Sequence, residues 1–275
     1  MENTITGWER ERRTHFDEIV VNYDKARWDY PPELFSDIFS YSGANAERDA
    51  LEIGVGTGKA TAPFLSAGYT VTAVELGTNM AEFVKDKYKE YSGFDVIVSS
   101  FEDVDLGDNS YDIIYAASAF HWVDAKVGCP KAFRFLKSGG VFALFRNNLI
   151  NGYEAYKETE DLYEKYYLSV YPANRQHSSP RTREDLSSSS GIYNGYRFYD
   201  MEQYGFTDVS MKFYDVTISY SADEYIALLE TQADHRGLPE SNKRLLYEGI
   251  REIINVHSGY CEQDYLFQLY MGRKP

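Results

Sequence analysis

From residue 43 onward, short apolar stretches alternate with longer segments whose apolar residues recur at helical spacing. Apolar stretches rich in β-branched or aromatic residues are typical of strands, and segments with helical spacing are typical of helices. The predicted strands span 49–54, 69–76, 94–100, 111–119 and 140–148, and the helices between them span 59–68, 78–91 and 124–140. Apolar strands that alternate with helices indicate a parallel sheet covered on both faces.

Helical patterns also flank this alternating region. Before it, charged and apolar residues recur near helical spacing over 7–28, and a second short helix starts at the proline pair and covers 31–41. After residue 151, the same criteria predict helices at 153–171, 222–236 and 239–257, a polar loop at 172–191, and strands at 206–220 and 261–275. The whole pattern therefore predicts an α/β fold with seven strands.

The overall charge restricts the classes of partner. The chain has 275 residues, enough for one large domain or two small ones. Its formal net charge of −15 argues against nucleic acid, because phosphate backbones are bound by clustered Lys and Arg. A cationic or neutral small ligand is compatible with this charge, and so is an acidic surface that only promotes solubility.

The cysteines and the apolar segments bear on the compartment. Only Cys129 and Cys261 are present, without a Cys-x-x-Cys or Cys/His cluster, so we expect neither a disulfide framework nor a zinc site. Residues 1–16 carry charges where a signal peptide needs an apolar run. No apolar segment approaches the roughly 20 residues that span a bilayer. We therefore expect a cytoplasmic protein with no membrane partner and no metal.

The stretch LEIGVGTGK carries glycines at every second position directly after the first predicted strand, at Gly54, Gly56 and Gly58. A strand, a glycine-rich turn and a helix place backbone N–H groups at the carboxyl edge of the sheet, where ligands of open α/β sheets bind. A dinucleotide-binding turn needs a small residue where this chain has Lys59, and no G-K-[ST] sequence completes a phosphate loop.

Two acidic residues accompany the glycine turn. Glu52 lies just before it, and Glu75 ends the second predicted strand. A carboxylate at the position of Glu52 repels a pyrophosphate but attracts an ammonium or a sulfonium group. An acidic residue at the end of the second strand commonly binds ribose hydroxyls. This combination indicates a positively charged nucleoside ligand.

These motifs resemble those of the class I S-adenosylmethionine-dependent methyltransferases. The resemblance covers residues 20–150 and rests on LEIGVGTGKAT, VELGTNM, SSFEDVDLGDNSYDIIYAASAFHWVD and LKSGGVFALF. The stretches YDKARWDYPPELF and SAFHWVD are similar to a small-molecule subgroup, methyltransferase type 11, that includes trans-aconitate methyltransferase-like enzymes. The resemblance implies a Rossmann-like, seven-stranded, mostly parallel sheet with helices on both faces, an antiparallel last strand and a helical lid.

The same resemblance implies a single domain over 1–275. Its cofactor-binding core spans about 43–150 and 205–275, and its helical cap spans about 1–42 and 151–204. The implied cofactor is S-adenosyl-L-methionine, with the glycines and Glu52 at its methionine part, Glu75 at its ribose and Arg27 at its carboxylate. The full set of implied cofactor-binding residues is Tyr23, Arg27, Glu52, Gly54, Gly56, Gly58, Glu75, Leu76, Met80, Ser100, Phe101, Glu102, Ala117 and Phe120.

The acceptor is expected to lie next to the AFHW cluster, just past the fourth strand. His121 is a candidate general base because an imidazole titrates near working pH, or it only shapes the wall of the pocket. The predicted acceptor-binding residues are Tyr30, His121, Trp122, Arg146 and His235, and further arginines that could bind an acidic acceptor or stay solvated are Arg175, Arg181, Arg183 and Arg236. The tyrosines Tyr153, Tyr156, Tyr163, Tyr167 and Tyr171 form either a packed aromatic stripe or the roof of the acceptor pocket.

The predicted function is methyl transfer to a small-molecule acceptor, with a carboxylate or a hydroxyl as the methylated group. A non-catalytic S-adenosylmethionine-binding regulatory protein is the first alternative, and a NAD-dependent oxidoreductase is the second. The expected state of the protein is a monomer or a homodimer.

Overall fold

The computed structural model describes residues 20–43, 48–151, 156–172, 183–187 and 198–275. Within these ranges, seven strands form one sheet. They are β1 (Arg48–Ile53), β2 (Tyr69–Glu75), β3 (Phe94–Val98), β4 (Tyr111–Ala117), β5 (Leu136–Asn151), β6 (Thr207–Ser221) and β7 (Tyr260–Arg273).

The order of the strands in the sheet is β3-β2-β1-β4-β5-β7-β6. Neighbouring strands from β3 to β5 pair in parallel, whereas β7 pairs antiparallel with both β5 and β6. This arrangement confirms the predicted mostly parallel sheet with an antiparallel last strand. The chain order reverses at β1, so a crevice opens beyond the carboxyl ends of β1, β2 and β4.

Ten α-helices accompany the sheet in the described ranges. They are α1 (Val20–Ala26), α2 (Pro32–Ser42), α3 (Thr61–Ser66), α4 (Thr78–Lys87), α5 (Ala125–Phe135), α6 (Tyr156–Tyr166), α7 (Arg183–Ser187), α8 (Ala222–Leu229), α9 (Ala233–Arg236) and α10 (Glu240–Val256). None of these helices combines the length and the apolarity that crossing a bilayer requires.

Several element boundaries differ from the predictions; strand β5, predicted over 140–148, spans Leu136–Asn151, and the helix predicted over 153–171 ends at Tyr166. The predicted helix 124–140 ends at Phe135, because Leu136 already pairs with Tyr111 of β4. The predicted helix 222–236 is two helices, α8 and α9, since the backbone of Gln232 between them is extended. Helix α7 lies inside the predicted polar loop. The start of the predicted N-terminal helix, residues 1–19, lies outside the described residues, as do Tyr153, Arg175 and Arg181 and the side chain of Tyr156.

Alternating residues of the central strands fill the two faces of the sheet. Ile113 and Tyr115 of β4 are fully buried on one face, and Ile114 is fully buried on the other. Tyr115 stacks on Phe64 of α3 with ring centroids 3.9 Å apart. Burial of each such side chain stabilises the folded state by roughly 1.5–3 kcal/mol. Packing on both faces therefore holds the strand ends, and the residues that follow them, in fixed positions.

Candidate active site

A cavity of about 1030 Å³ opens at the carboxyl edge of β1, β2, β4 and β5. Sixteen of the nineteen predicted site residues line it: Tyr23, Arg27, Tyr30, Glu52, Gly54, Gly56, Glu75, Leu76, Met80, Ser100, Phe101, Glu102, Ala117, His121, Trp122 and Arg146. Gly58, Phe120 and His235 do not line it. The fold thus brings together residues that lie more than 100 positions apart in the sequence.

The first two glycines of the turn shape the cavity floor. Gly54 has φ +68°, and its N–H donates to the Val74 carbonyl at 2.8 Å. A Cβ atom on Gly54 would lie 2.6 Å from the Cβ of Ala119, closer than two carbons can approach. Gly56 has φ +53° and would place a Cβ in open space. The absence of both side chains lets a ligand approach the backbone of the turn.

Gly58, which does not line the cavity, packs closely against its neighbours. Its φ is +79°, and a Cβ would lie 2.5 Å from Cε2 of Tyr88 and 2.7 Å from Cγ2 of Val84. The Tyr88 hydroxyl donates to the Gly58 carbonyl at 2.6 Å. Gly58 therefore packs the turn against α4 and the residue that follows it, and its predicted cofactor contact stays a prediction.

Glu52 lines the cavity with a side chain that is almost fully buried, 1% exposed. Its Oε2 accepts hydrogen bonds from the Thr61 hydroxyl at 2.6 Å and the Tyr115 hydroxyl at 2.8 Å. Burial raises the pKa of Glu52 to about 7, against these two hydrogen bonds, and the charge of Glu75 adds to the rise. The carboxyl group is thus poised between its neutral and charged forms near neutral pH.

Glu75 is held by the backbone of two turns. Its Oε2 accepts from the N–H of Gly56 at 2.8 Å, and its Oε1 accepts from the N–H of Gly77 at 2.9 Å. Both bonds fix the carboxylate at the end of β2, beside the glycine turn. Carboxylate oxygens have further lone pairs, so the group can still accept hydrogen bonds from a diol.

Arg27 reaches the cavity from the segment after α1. Its Nη2 donates to the Thr231 carbonyl at 3.1 Å, and its guanidinium lies 5.1 Å from the centre of the Tyr23 ring. Its Nε is buried and has no hydrogen-bond partner among the described residues. A buried guanidinium N–H without a partner is costly unless a ligand supplies an acceptor. Arg27 therefore fits an anionic group of a ligand.

A further part of the lining combines apolar and polar side chains from the turn after β2, from α4 and from the segment after β3. Met80 and Phe101 are each 3% exposed and lie in the wall with Leu76. The Ser100 hydroxyl donates to Asp103 at 2.7 Å, and Glu102 accepts from the Asp124 N–H at 3.3 Å. Apolar surface with a few polar groups is typical of a pocket for a planar ring.

Phe120 belongs to the core rather than to the cavity. It is 3% exposed and meets Phe142 edge-to-face with centroids 5.2 Å apart. A Cβ on Gly128 of α5 would lie 3.0 Å from the Phe120 ring, so the ring fills the space under that helix. Phe120 therefore packs in the core and does not line the cavity, and its predicted cofactor contact stays a prediction.

His235 lies in an aromatic cluster behind the cavity wall. It is 3% exposed, and its two ring nitrogens lie 3.5 Å from the hydroxyls of Tyr163 and Tyr247. Burial lowers its pKa to about 4, so the ring is neutral at neutral pH. Tyr163 and Tyr167 pack together with centroids 5.6 Å apart, whereas Tyr171 lines the cavity. Tyr163 and Tyr167 are thus packed members of the predicted stripe, and His235 does not line the cavity, so its acceptor contact stays a prediction.

The predicted acceptor residues that reach the cavity come from three elements. Tyr30 precedes α2, His121 and Trp122 follow β4, and Arg146 lies on β5. Burial lowers the pKa of His121 to about 3, and the nearby Arg146 guanidinium adds to the decrease. Arg146 is 7% exposed, and its Nε and Nη2 donate to Oε1 of Gln268 at 3.4 Å each. Arg183, by contrast, is exposed and pairs with Asp215 at 2.5 Å.

Sequence reasoning missed several residues of the site. Ser118, Asn148 and Asp234 line the cavity, and Gln268 of β7 contacts Arg146 from behind it. Gln268 is fully buried within the otherwise apolar run 265–271 of β7, and this exception to the pattern is a signal that could have identified it. Among the described residues, no three His, Cys, Asp or Glu side chains cluster as metal ligands.

Comparisons with known proteins agree with this geometry. A family model described as a methyltransferase domain matches residues 51–144. An uncharacterized methyltransferase of Bacillus cytotoxicus is 30% identical over 171 residues, covering 56% of this chain and 73% of the relative. An uncharacterized methyltransferase of Schizosaccharomyces pombe is 25% identical over 242 residues, covering 88% of this chain and 87% of the relative.

One solved structure with a similar fold contains ligands. It is the Haemonchus contortus phosphoethanolamine N-methyltransferase 2 in complex with phosphomonomethylethanolamine and S-adenosylhomocysteine. The TM-score is 0.54 at 16% sequence identity, and the alignment covers 96% of this chain and 59% of that chain. At this identity the likeness concerns the fold.

Proposed function

Because this chain belongs to the class I S-adenosylmethionine-dependent methyltransferases, we propose that it methylates a carboxylate of a small molecule. One observation carries this proposal: the cavity that holds Glu52, Glu75 and Arg27 continues to Arg146. Its volume of about 1030 Å³ lies at the upper end of the roughly 300–1,000 Å³ typical of ligand pockets. There is room for a cofactor and a small acceptor together.

The residues present fit the cofactor. The buried Nε of Arg27 can donate to its carboxylate, the Glu52 carboxylate can accept from its amino group, and Glu75 can accept from its ribose hydroxyls. The open space beside Gly56 admits a chain that lies against the backbone. When bound, S-adenosylmethionine supplies an electrophilic methyl group, whose bond to sulfur breaks with both electrons left on sulfur as an acceptor lone pair forms the new bond.

The chemistry of the acceptor end favours a carboxylate over a hydroxyl. A hydroxyl acceptor has to lose a proton, and His121 is the predicted general base in the cavity wall. Its pKa of about 3 makes it a weak base at neutral pH, since each pKa unit corresponds to about 1.4 kcal/mol. A carboxylate needs no base, and a guanidinium such as that of Arg146 binds it with two parallel hydrogen bonds.

The other residues of this end align the acceptor and exclude water. Tyr30 is packed by Phe145 and Phe267, with centroids 5.0 and 5.7 Å away, and Trp122 packs on His121 at 5.1 Å. Rigid walls of this kind hold an acceptor in the geometry for in-line attack, which can account for much of the rate of a transfer reaction.

The test uses methyl-labelled S-adenosylmethionine with mono-, di- and tricarboxylic acids, phenols and amines. We expect label in a product that releases labelled methanol in alkali, since only esters do so under mild conditions. Alkali-stable label on a phenol or an amine would contradict the carboxylate proposal. Binding of S-adenosylhomocysteine without any label transfer would favour the regulatory alternative.

Arg146→Met tests the acceptor-binding role directly. Loss of a charge-assisted hydrogen bond is expected to raise KM for the carboxylate about 10- to 100-fold. The affinity for S-adenosylhomocysteine should stay unchanged. Arg183→Met is the matched control, because this exposed arginine pairs with Asp215 outside the cavity. An equal effect of both substitutions would contradict the assignment of Arg146.

A further inference from the structure

Ser118 has an unusual backbone conformation at the end of β4. Its φ is +52°, in the left-handed region that non-glycine residues rarely adopt. The non-glycine residues with positive φ in the described ranges are Asn109, Ser118, Asp208 and Ser258. Of these four, Ser118 is the one that lines the cavity. Strained residues persist where surrounding structure enforces them, and they cluster at functional sites.

The conformation of Ser118 is enforced from two sides. Its N–H donates to the Phe145 carbonyl at 2.8 Å, which continues the pairing of β4 with β5 beyond Ala117. Its Oγ accepts a hydrogen bond from the Tyr30 hydroxyl at 3.0 Å. In the parallel register Ala117 is opposite Phe145, so Ser118 comes next to Arg146 at the edge of the sheet. Ser118 and the proposed acceptor-binding Arg146 both line the cavity.

The Tyr30 hydroxyl stays a donor at all ordinary pH values. Burial raises its pKa well above the usual range, so it keeps its proton. The Tyr30 ring is packed edge-to-face against Phe35, Phe145 and Phe267, which fixes the direction of its hydroxyl. Because Tyr30 donates to Ser118, the proton of Ser118 has to point elsewhere, and the half-buried Ser118 side chain borders the cavity.

We propose that the Ser118 hydroxyl donates a hydrogen bond to the acceptor oxygen group that becomes methylated, and that Tyr30 is the positioning residue for this hydroxyl. This inference rests on the function proposed above. A hydroxyl already engaged as an acceptor by Tyr30 offers its own O–H, so it recognises a lone pair such as that of a carboxylate oxygen. An ammonium group has no lone pair to accept this bond, so Ser118 discriminates against it.

The Ser118 hydroxyl does not take part in the making or breaking of covalent bonds. One oxygen of the acceptor carboxylate keeps the hydrogen bond from Ser118, and a lone pair of the carboxylate forms the bond to the methyl carbon. No proton moves, since the ester forms from an anion and a cationic methyl donor. Ser118 therefore fixes the direction of attack instead of supplying acid or base catalysis.

Three variants separate this role from a structural one. Ser118→Gly removes the hydroxyl and relieves the positive φ, Ser118→Ala removes the hydroxyl and keeps the positive φ, and Tyr30→Phe removes the anchor and keeps the Ser118 hydroxyl. We expect Ser118→Gly to melt at a temperature at least as high as Ser118→Ala. All three should bind S-adenosylhomocysteine like the wild type.

The turnover of labelled S-adenosylmethionine with the best carboxylate acceptor is the second measurement. We expect the turnover rate of both Ser118 variants to fall about tenfold or more. The turnover rate of Tyr30→Phe should fall less, because only the Ser118 variants lack the hydrogen bond to the acceptor. If the Tyr30–Ser118 bond only anchors the chain, Ser118→Ala and Tyr30→Phe will lose activity equally, which overturns the inference.

A further result separates this inference from the proposed function. Wild-type turnover on a carboxylate together with full activity of Ser118→Gly overturns the role of Ser118 and leaves the proposed function standing. If the wild type methylates no carboxylate, the proposed function fails and the inference fails with it.

Discussion

At the scale of single residues, Glu52 makes cofactor binding depend on pH. With its pKa raised to about 7 by burial, Glu52 is mostly protonated at pH 6 and mostly charged at pH 8. The ammonium group of S-adenosylhomocysteine prefers the charged form. We expect the Kd to increase about tenfold per pH unit below pH 7 and to level off above it. Calorimetry between pH 6 and 8 measures this, and Glu52→Gln should remove the dependence.

The same carboxyl group affects folding stability in the opposite direction, because the protonated form of Glu52 favours the folded state whereas the charged form favours cofactor binding. The pKa of Glu52 rises from 4.5 to about 7 on folding, so the folded state binds the proton more tightly than the unfolded state. Stability is therefore expected to decrease as the pH rises from 4.5 to 7, by about 3 kcal/mol at most. Glu52→Gln, which cannot ionise, should unfold at higher urea concentration than the wild type at pH 8. The exposed Glu90→Gln is the control, and an equal effect of both would contradict this account.

Arg27 is expected to recognise one part of the cofactor only. Its buried Nε has no partner in the described structure and fits the carboxylate of the methionine part. Arg27→Met should therefore raise the Kd of S-adenosylhomocysteine about 10- to 100-fold. The Kd of methylthioadenosine, which lacks the carboxylate, should not change. Lys25→Met, an exposed position on α1 two residues before Arg27, serves as the control, and an equal loss for both ligands would contradict the assignment.

The residue scale also shows where sequence reasoning ends. Glu52, Glu75 and Gly54 could be located because their spacing around a strand end is local. Phe120 and His235 could not be excluded from the site, because a packed aromatic ring and a ligand-binding one have the same sequence pattern. Ser118 could not be identified, since nothing in the sequence reveals a positive φ at a serine.

At the scale of elements, the glycine turn depends on its contact with α4 and the residue that follows it. Gly58 and Gly139 have almost the same φ, +79° and +78°, but only Gly58 would place a Cβ against side chains. Gly139→Ala should lower the free energy of unfolding by about 1–2 kcal/mol, because alanine strains the backbone at this φ. Gly58→Ala should cost about 1–3 kcal/mol more, because the methyl group overlaps Tyr88 and Val84. Urea unfolding of both variants measures the difference, and equal losses would contradict the packing role.

Strands were easier to predict than the ends of helices. All seven predicted strands exist, because apolar stretches between polar turns are a local signal. The end of α5 at Phe135 and the break at Gln232 depend on tertiary contacts, namely the pairing of Leu136 with β4 and the position of α9 beside the cavity. Such contacts are absent from the local pattern.

At the scale of the whole molecule, the net charge of −15 opposes the approach of an anionic acceptor. The Debye length shortens from about 30 Å at 0.01 M salt to about 10 Å at 0.1 M, which screens this long-range repulsion. We expect kcat/KM for a carboxylate acceptor to rise about twofold to threefold over this range. An uncharged ester of the same acid, measured as a competitive inhibitor, should show no such dependence. A fall of kcat/KM with salt would indicate that the local field of Arg146 dominates.

Part of the acceptor end of the cavity lies outside the family-matched range. Residues 51–144, which match the methyltransferase-domain model, supply most of the cofactor end together with Ser118, His121 and Trp122, whereas Tyr30 and Arg146 lie outside that range. New selectivity could therefore be engineered by transplanting residues 28–31 and the outer half of β5 from a homologue. The adenosine-binding machinery would stay untouched, so each chimera would begin with its methyl donor already in place.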